Sequence, residues 1–242
     1  MTLSHWIAEP DSDGIVWLRL DKADSSANVL STEVMTELNS VIDTLEASPP
    51  KGLVIYSGKH NGFVMGADIN EFTSVESPEV AYEVTRLGQQ LFDRLEALRC
   101  PTVAALNGFT MGGGLELAMA CDYRLALANK KKVLGLPEVR LGLHPGFGGT
   151  VRAVQICGVR PAMQIMLTGN PITVDKGRKI GLVDRIATED NWKQAAKELI
   201  AAARPKQKAP FVERLLSLGF VRPFIKPMLV KQVASKARKD HY

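Results

Sequence analysis

Two glycine-rich segments hold the residues of this sequence whose types and spacing can do chemistry. One places three consecutive glycines, Gly112–Gly114, just before Glu116, and the other places Glu138 upstream of the pair Gly148–Gly149. Consecutive glycines leave backbone N–H groups uncovered and permit positive φ. At a helix start those N–H groups have no intrahelical partner and lie at the positive end of the dipole, so they can hold a developing oxyanion. A tight turn or close helix packing explains the glycines equally well.

Phosphate binding is excluded by the residues of both segments, although glycine loops ahead of helices often cradle phosphates. A P-loop needs Lys-Ser or Lys-Thr after its last glycine, and neither segment has one. A dinucleotide fingerprint that starts at Gly146 and Gly148 needs a third glycine where Val151 stands. The glycines therefore indicate an oxyanion site or close packing, and not a nucleotide site.

A third loop, at Met65 and Gly66, offers further exposed backbone amides. It is followed by Asp68 and Glu71, whose D-x-x-E spacing is that of a capping box at a helix start. We therefore expect Asp68 to cap a short helix and not to act as an acid or base. The Met65 and Gly66 amides would then lie just ahead of that helix.

The elements that must position these loops alternate between strand and helix. Strand patterns cover residues 14–21, 53–56, 102–106, 123–128 and 182–186. Helical spacing of apolar residues begins at the N-cap Ser31 and returns over residues 78–98, 148–157 and 160–167. Beyond Trp192 the pattern is helical only. The alternation predicts an α/β core in residues 1–190 and a basic, helical C-terminal region in residues 191–242.

Composition and charge agree with this division. The chain has 242 residues, of which 45% are hydrophobic and 23% charged, so it can bury a sizeable core and is not a disordered chain. Its net charge of +4 is uneven, because 12 basic and only 3 acidic residues follow Trp192. A mildly acidic body with a basic tail does not match the footprint of a nucleic-acid-binding fold, so no nucleic-acid partner is expected.

Metal, disulfide and targeting signals are missing from the sequence. The three cysteines, Cys100, Cys121 and Cys157, are odd in number and lack ligand spacing, so neither a metal site nor a disulfide framework is expected. The N-terminal residues contain no secretory signal. The longest charge-free stretch, Cys100–Leu115, is too short and too rich in glycine to span a bilayer. These features predict a cytoplasmic protein without a membrane span.

Taken together, the segments resemble the crotonase family, the enoyl-CoA hydratase and isomerase superfamily. The matching stretches follow the family's order over residues 14–190: FVMGADI at 63–69, NGFTMGGGLELA at 107–118, CD at 121–122, LPE at 136–138, LGLHPGFGGT at 141–150, LTG at 167–169 and GLVD at 181–184. Any one of them alone is weak, and together they are specific. The resemblance implies a spiral of ββα units that binds an acyl-CoA thioester. It implies no cofactor, because CoA is part of the substrate.

The resemblance also assigns roles to particular residues. The family's two acids fall on Glu116, expected to orient and activate water, and on Glu138, expected to deliver a proton to Cα. Taken singly, the two would read as a first-turn helix carboxylate and a loop surface charge, and the match to both positions favours catalysis. The family's oxyanion hole of two backbone N–H groups falls on Met65 and Gly113. Substrate contacts are implied at Phe63, Ala67, Asp68, Ile69, Gly112, Pro137 and Gly146.

The implied activity is hydration of a 2-enoyl-CoA thioester in fatty acid β-oxidation, with 3-enoyl to 2-enoyl isomerisation as an additional activity. The thioester oxygen must be stabilised as an enolate, while one carboxyl group accepts a proton from water and the other donates one to Cα. Isomerase or thioester hydrolase activity alone is a second interpretation, and the presence of both glutamates speaks against it. A catalytically silent acyl-CoA-binding or assembly module is a third.

The tail from Phe211 to Tyr242 resembles the linker-helix region of the multifunctional fatty-acid-oxidation α-subunit, which joins a hydratase/isomerase domain to a dehydrogenase part. No dinucleotide fingerprint follows, so we expect a piece of such a subunit, with a dehydrogenase domain and a thiolase subunit as partners. The tail's positive charge would face the missing part or the acidic body. Several apolar tail residues would then lack their normal partner: Leu215, Leu216, Phe220, Phe224 and Leu229.

Overall fold

A computed structural model describes residues 3–71, 76–203, 208–216, 218–219, 221, 223–224, 226–228, 230–231 and 234. The strands are β1 (Trp6–Pro10), β2 (Ile15–Leu20), β3 (Gly52–Ser57), β4 (Gly62–Val64), β5 (Thr102–Leu106), β6 (Phe109–Met111), β7 (Tyr123–Leu127), β8 (Lys132–Gly135), β9 (Ile172–Thr173) and β10 (Arg185–Ala187). The helices are α1 (Thr32–Ala47), α2 (Pro78–Glu96), α3 (Gly113–Ala120), α4 (Gly149–Cys157), α5 (Val159–Thr168), α6 (Val174–Lys179), α7 (Trp192–Ala202) and α8 (Phe211–Leu216). A short 3₁₀ helix spans Glu138–Leu141.

Two sheets are built from alternating strands of the chain. The larger has the order β1-β2-β3-β5-β7-β10, and the smaller has the order β4-β6-β8-β9. Strands β3, β5 and β7 each pass directly to a strand of the smaller sheet, and the first two of these pairs lead into helices α2 and α3. All neighbours in this central part are parallel. The predicted spiral of ββα units is confirmed.

The central strands are covered on both faces, which explains their continuous apolar runs. Leu53 and Ile55 of β3 point into the main core, with residues of α1, α2 and α3, whereas Val54 points into a second cluster beneath α7. Ala195, Ala196 and Ile200 of α7 complete that second cluster. The predicted division at residue 190 stays a prediction, but α7 packs directly on the sheet.

Helices α1 and α2 begin where the sequence predicted. The Ser31 hydroxyl accepts the Val34 N–H at the start of α1, and Ser77 does the same for Val80, with Pro78 as the first residue of α2. These positions are favoured for side-chain caps and for proline, respectively. The loop of residues 65–68 lies next to the start of α1, and the loop that contains Gly146 is bonded to α2.

Two local predictions are wrong in part. The Asp68 carboxylate accepts the Asn70 N–H, as a capping side chain would, but the Asp68 N–H donates to the Leu30 carbonyl and the Glu71 carboxylate accepts from Thr32, so the reciprocal half of the capping box does not form. The last strand is β10, not residues 182–186, because the buried Leu182 uses its carbonyl to accept from the Arg124 guanidinium instead of joining the sheet.

Helix α8 contacts the core through a buried carboxylate. Glu213 of α8 accepts from the Arg160 guanidinium at 2.7 Å, beside the start of α5. Among the apolar tail residues, Leu215 and Phe224 are exposed and Leu216 is half-buried, while Phe220 and Leu229 lie outside the described residues. In the described part of the chain, no helix is long and apolar enough to cross a membrane.

Candidate active site

The three consecutive glycines each meet a different structural need. Gly112 precedes α3 with a positive φ of 50°, which glycine adopts at low cost, and its carbonyl accepts the Glu116 N–H. Gly114 lies directly on the backbone of Val64, so any side chain there would collide with β4. Gly113 is the first residue of α3 and keeps an N–H without an intrahelical acceptor. The packing interpretation therefore holds for Gly114, whereas Gly113 has an N–H placed so that it could bind an oxyanion.

Glu116 is held in the first turn of α3 by the start of a second helix. Its side chain is buried, and Oε1 accepts N–H groups from Phe147 at 2.8 Å and from Gly149, the first residue of α4, at 2.7 Å. Burial raises the pKa of Glu116 to about 7, against the opposing effect of these two N–H bonds. A carboxyl group with this pKa can both accept and release a proton near neutral pH.

Glu138 begins the 3₁₀ helix and has a different environment. Both of its carboxyl oxygens are buried and have no hydrogen-bond partner among the described residues. Burial raises the pKa of Glu138, while its own backbone N–H and the charge of nearby His144 act in the opposite direction. Because the effect of burial is the largest of these, the protonated acid is more favoured than in an exposed glutamate. When Glu138 is protonated, its carboxyl proton is therefore not hydrogen-bonded to any described residue.

Glu116 and Glu138 both lie next to the glycine turn. A Cβ on Gly112 would lie 3.1 Å from Oε1 of Glu138, while the Gly112 carbonyl holds the N–H of Glu116. The charge of Glu138 also raises the pKa of Glu116. Burial raises the pKa of both carboxyl groups, so each can exchange a proton near neutral pH, and what distinguishes them is that only Glu116 accepts hydrogen bonds from neighbouring backbone N–H groups.

The pair of backbone amides beside Glu138 differs from the predicted pair. The Met65 N–H donates to the Asn28 carbonyl at 2.8 Å, so it is not free to bind an oxyanion. The bridge to Leu30 uses the carbonyl of Gly66 and the N–H of Asp68. The N–H of Ala67 between them has no acceptor among the described residues. A Cβ on Gly113 would lie 3.5 Å from the Ala67 nitrogen. The prediction of Met65 is therefore corrected to Ala67, and Gly113 remains.

The chain matches a protein-family model described as enoyl-CoA hydratase/isomerase over residues 11–238. The chain belongs to the enoyl-CoA hydratase/isomerase family. The crotonase-like fold and the family that the sequence predicted are thereby confirmed.

Relatives within the family are similar along nearly the whole chain. The chain is 37% identical over 232 residues to the fatty acid oxidation complex subunit alpha of Idiomarina loihiensis, and 39% identical over 234 residues to that of Shewanella loihica. These matches cover 96% and 95% of this chain but 33% of each relative, so the chain spans about a third of the length of its curated relatives. A crystal structure of an enoyl-CoA hydratase from Bacillus anthracis is 26% identical with a TM-score of 0.75, covering 82% of this chain and 76% of that one.

The remaining predicted substrate residues lie in different places. Phe63 is fully buried in the main core, so its side chain cannot contact a ligand, and this prediction is corrected. Ile69 is exposed beside the Ala67 loop, and Asp68 next to it accepts the Asn70 N–H. Pro137 directly precedes Glu138. Gly146 faces α2, where its carbonyl accepts from Gln89.

Three residues that position the site were not predicted from the sequence: Phe147, Gly149 and Asn28. The amides of Phe147 and Gly149 hold Glu116, and the glycine pair at 148–149 was the signal that could have identified them. The buried Asn28 side chain donates to the carbonyls of Leu20 and Phe63 and so aligns the loop that carries Ala67. A single polar residue between strands gives no such signal. In the described part of the chain, no cluster of three or more His, Cys, Asp or Glu residues could hold a metal ion.

Proposed function

We propose that this chain adds water across the double bond of 2-enoyl-CoA thioesters. The observation that carries the proposal is a buried pair of carboxyl groups, Glu116 and Glu138, beside two unused backbone amides, Ala67 and Gly113. The amides suit the thioester oxygen, which becomes negatively charged as the enolate forms. The carboxyl pair suits the two proton transfers of hydration.

The environments of the two glutamates divide their roles. Glu116 accepts two N–H bonds at the start of α4, which orient its carboxylate and partly offset the effect of burial, so we assign it the removal of a proton from water as the oxygen attacks Cβ. Electrons of the double bond move toward the thioester carbonyl, whose oxygen is held by Ala67 and Gly113. Glu138, the group favoured as an acid, then donates its proton to Cα as the carbonyl reforms. Isomerisation of 3-enoyl to 2-enoyl thioesters would instead use Glu138 as the carboxylate, which removes a proton from Cα and returns it to Cγ.

The relatives' names suggest the metabolic setting. The chain matches about a third of the length of each fatty acid oxidation complex α-subunit. We therefore infer that it acts as the hydratase part in fatty acid β-oxidation. A dehydrogenase domain and a thiolase subunit are its proposed partners, and the cytoplasm its proposed location. CoA enters as part of the substrate, and no separate cofactor is proposed.

The test is loss of enoyl-thioester absorbance with purified protein. Wild type should turn over a 2-enoyl-CoA, and Glu116→Gln and Glu138→Gln should each lower kcat by about 10²–10⁴. Glu79→Gln, an exposed carboxyl change at the start of α2, is the matched control and should keep the wild-type rate. Tight binding of an acyl-CoA without turnover would instead identify a catalytically silent binding module. Wild-type rates in both glutamine variants would exclude the mechanism.

A further inference from the structure

Arg152 is a buried cation on α4 with three different partners. Its side chain is 5% exposed, Nε donates to the Glu96 carboxylate at 2.8 Å, and Nη2 donates to that of Asp93 at 2.6 Å. The third bond runs from Nη1 to the carbonyl of Phe147 at 2.9 Å. The first two bonds attach α4 to α2. The third is not needed for that attachment and leads toward the site.

Phe147 connects Arg152 to Glu116. Its carbonyl accepts from Arg152, and its N–H donates to Oε1 of Glu116, so the residue is held from both sides. Next to it, Gly148 has a φ of +99° and no room for a side chain, because Arg152 Nη1 occupies that space. The following N–H, of Gly149, is the second donor to Glu116. The Arg152 guanidinium therefore contacts the turn 147–149, whose N–H groups bind the Glu116 carboxylate.

We propose that Arg152 is a positioning residue, which fixes the turn 147–149 and thereby holds the Glu116 carboxylate in the arrangement that hydration requires. This inference rests on the proposed function. It adds an element that the family's two acids and two amides do not include. Asp93 and Glu96 align the guanidinium from the opposite side.

Electrostatics acts in the same direction as the geometry. Burial and the charge of Glu138 raise the pKa of Glu116, whereas the positive charge of Arg152 and the N–H groups of Phe147 and Gly149 lower it. Removing Arg152 takes away its charge and loosens one of those donors. Glu116 would then hold its proton at higher pH, and the acid limb of the pH–rate profile would move up.

The deciding comparison is Arg152→Gln against the double variant Asp93→Asn/Glu96→Gln. Both break the link between α4 and α2, but only the first removes the bond to Phe147. Arg152→Gln should lower kcat about 10- to 100-fold with little change in KM, and it should move the acid limb to higher pH. The double variant keeps the positive charge of Arg152 and removes the two negative charges that offset it. The pKa of Glu116 should then fall, and the acid limb of its pH–rate profile should move to lower pH. Thermal unfolding of both variants checks that they remain folded.

Chemical rescue separates a missing guanidinium from general damage. A cavity of about 380 Å³ between α2 and α4 is lined by Asp93, Glu96, Arg152 and Gln155, so it opens the outer side of the guanidinium position to small molecules. In Arg152→Ala, added guanidinium ion at concentrations that leave the protein folded should restore part of kcat. Urea, which has a similar shape but no charge, should not.

The outcomes distinguish this inference from the proposed function. The pKa of Glu116 can also be followed by carbon NMR of ¹³C-labelled glutamate, with Glu116→Gln as the assignment control, and this reading needs no turnover. A wild type without hydratase activity would overturn the proposed function, while an upward pKa shift in Arg152→Gln would still support the positioning role. An active wild type with the same profile in Arg152→Gln and in the double variant would overturn the positioning role.

Discussion

Gly149→Ala isolates the contribution of Glu116 placement, because it changes neither glutamate. The Gly149 backbone does not lie in the positive-φ region, so alanine fits the first turn of α4 conformationally. The added Cβ, however, would lie 2.8 Å from both Cγ and Oε1 of Glu116. Ordinary van der Waals contact begins near 3.4 Å, so the carboxylate must move by about 0.6 Å.

That displacement sets the expected loss of rate. A misplacement of about 1 Å at a catalytic group can cost about 10²-fold, so kcat of Gly149→Ala should fall roughly 10- to 100-fold. KM should change little, because Glu116 does not bind the thioester oxygen. Alanine in place of glycine adds about 0.4–1 kcal/mol of stability through the backbone, whereas the close contacts with Glu116 and Pro145 cost about 1–3 kcal/mol, so the melting temperature should fall only by a few degrees.

Steady-state hydration kinetics with thermal unfolding tests this prediction. Val151→Ala, an exposed change in the same turn of α4, is the control and should keep both the rate and the fold. If Gly149→Ala had the wild-type kcat, placement of the carboxylate within the turn would not limit the reaction. If its kcat and melting temperature both fell sharply, the loss would reflect damage to α4.

Three further predictions follow from the ionisable groups. Because burial raises the pKa of Glu116 to about 7 and the base must be deprotonated, kcat/KM should rise with pH through about 7, and a flat profile between pH 5 and 8 would contradict this. Asp184→Asn leaves the buried Arg124 without its carboxylate, so urea unfolding should show a loss of about 3–5 kcal/mol, and a loss below about 1 kcal/mol would contradict the pairing. Burial raises the pKa of Cys100 to about 11 and that of Cys157 to about 12, so neither thiol should react with a thiol reagent at pH 8 unless the protein is unfolded.

The sequence predicted the parts of the fold that carry strong periodicity or capping signals. Helices α1 and α2, with Ser31 and Ser77 at their starts, and the apolar strands β3, β5 and β7 lie where expected. Strands of the smaller sheet, such as β6 and β9, have two to four residues, too few to show alternation. Their pairing depends on the spiral and not on local composition.

In the site, too, the sequence predicts the motif residues but not which of their backbone atoms are free to bind substrate. Glu116, Glu138 and Gly113 were predicted from motif positions, and the structure brings them together. Met65 was predicted instead of Ala67 because a motif cannot tell which N–H of a loop is already bonded. That choice is made by Asn28, which lies 35 residues before Phe63 and takes the Met65 N–H with its own carbonyl. Such long-range hydrogen bonds leave no local pattern.

The central claim is that Glu116 and Glu138 act together on one hydration event. It is tested most directly by the rates of Glu116→Gln, Glu138→Gln and the double variant on a single 2-enoyl-CoA. We predict that each single change costs about 10²–10⁴ in kcat and that the double change costs about as much as the worse single one, because groups that act as a unit are not additive. A wild-type rate in either single variant, or losses that multiply in the double variant, would contradict the account.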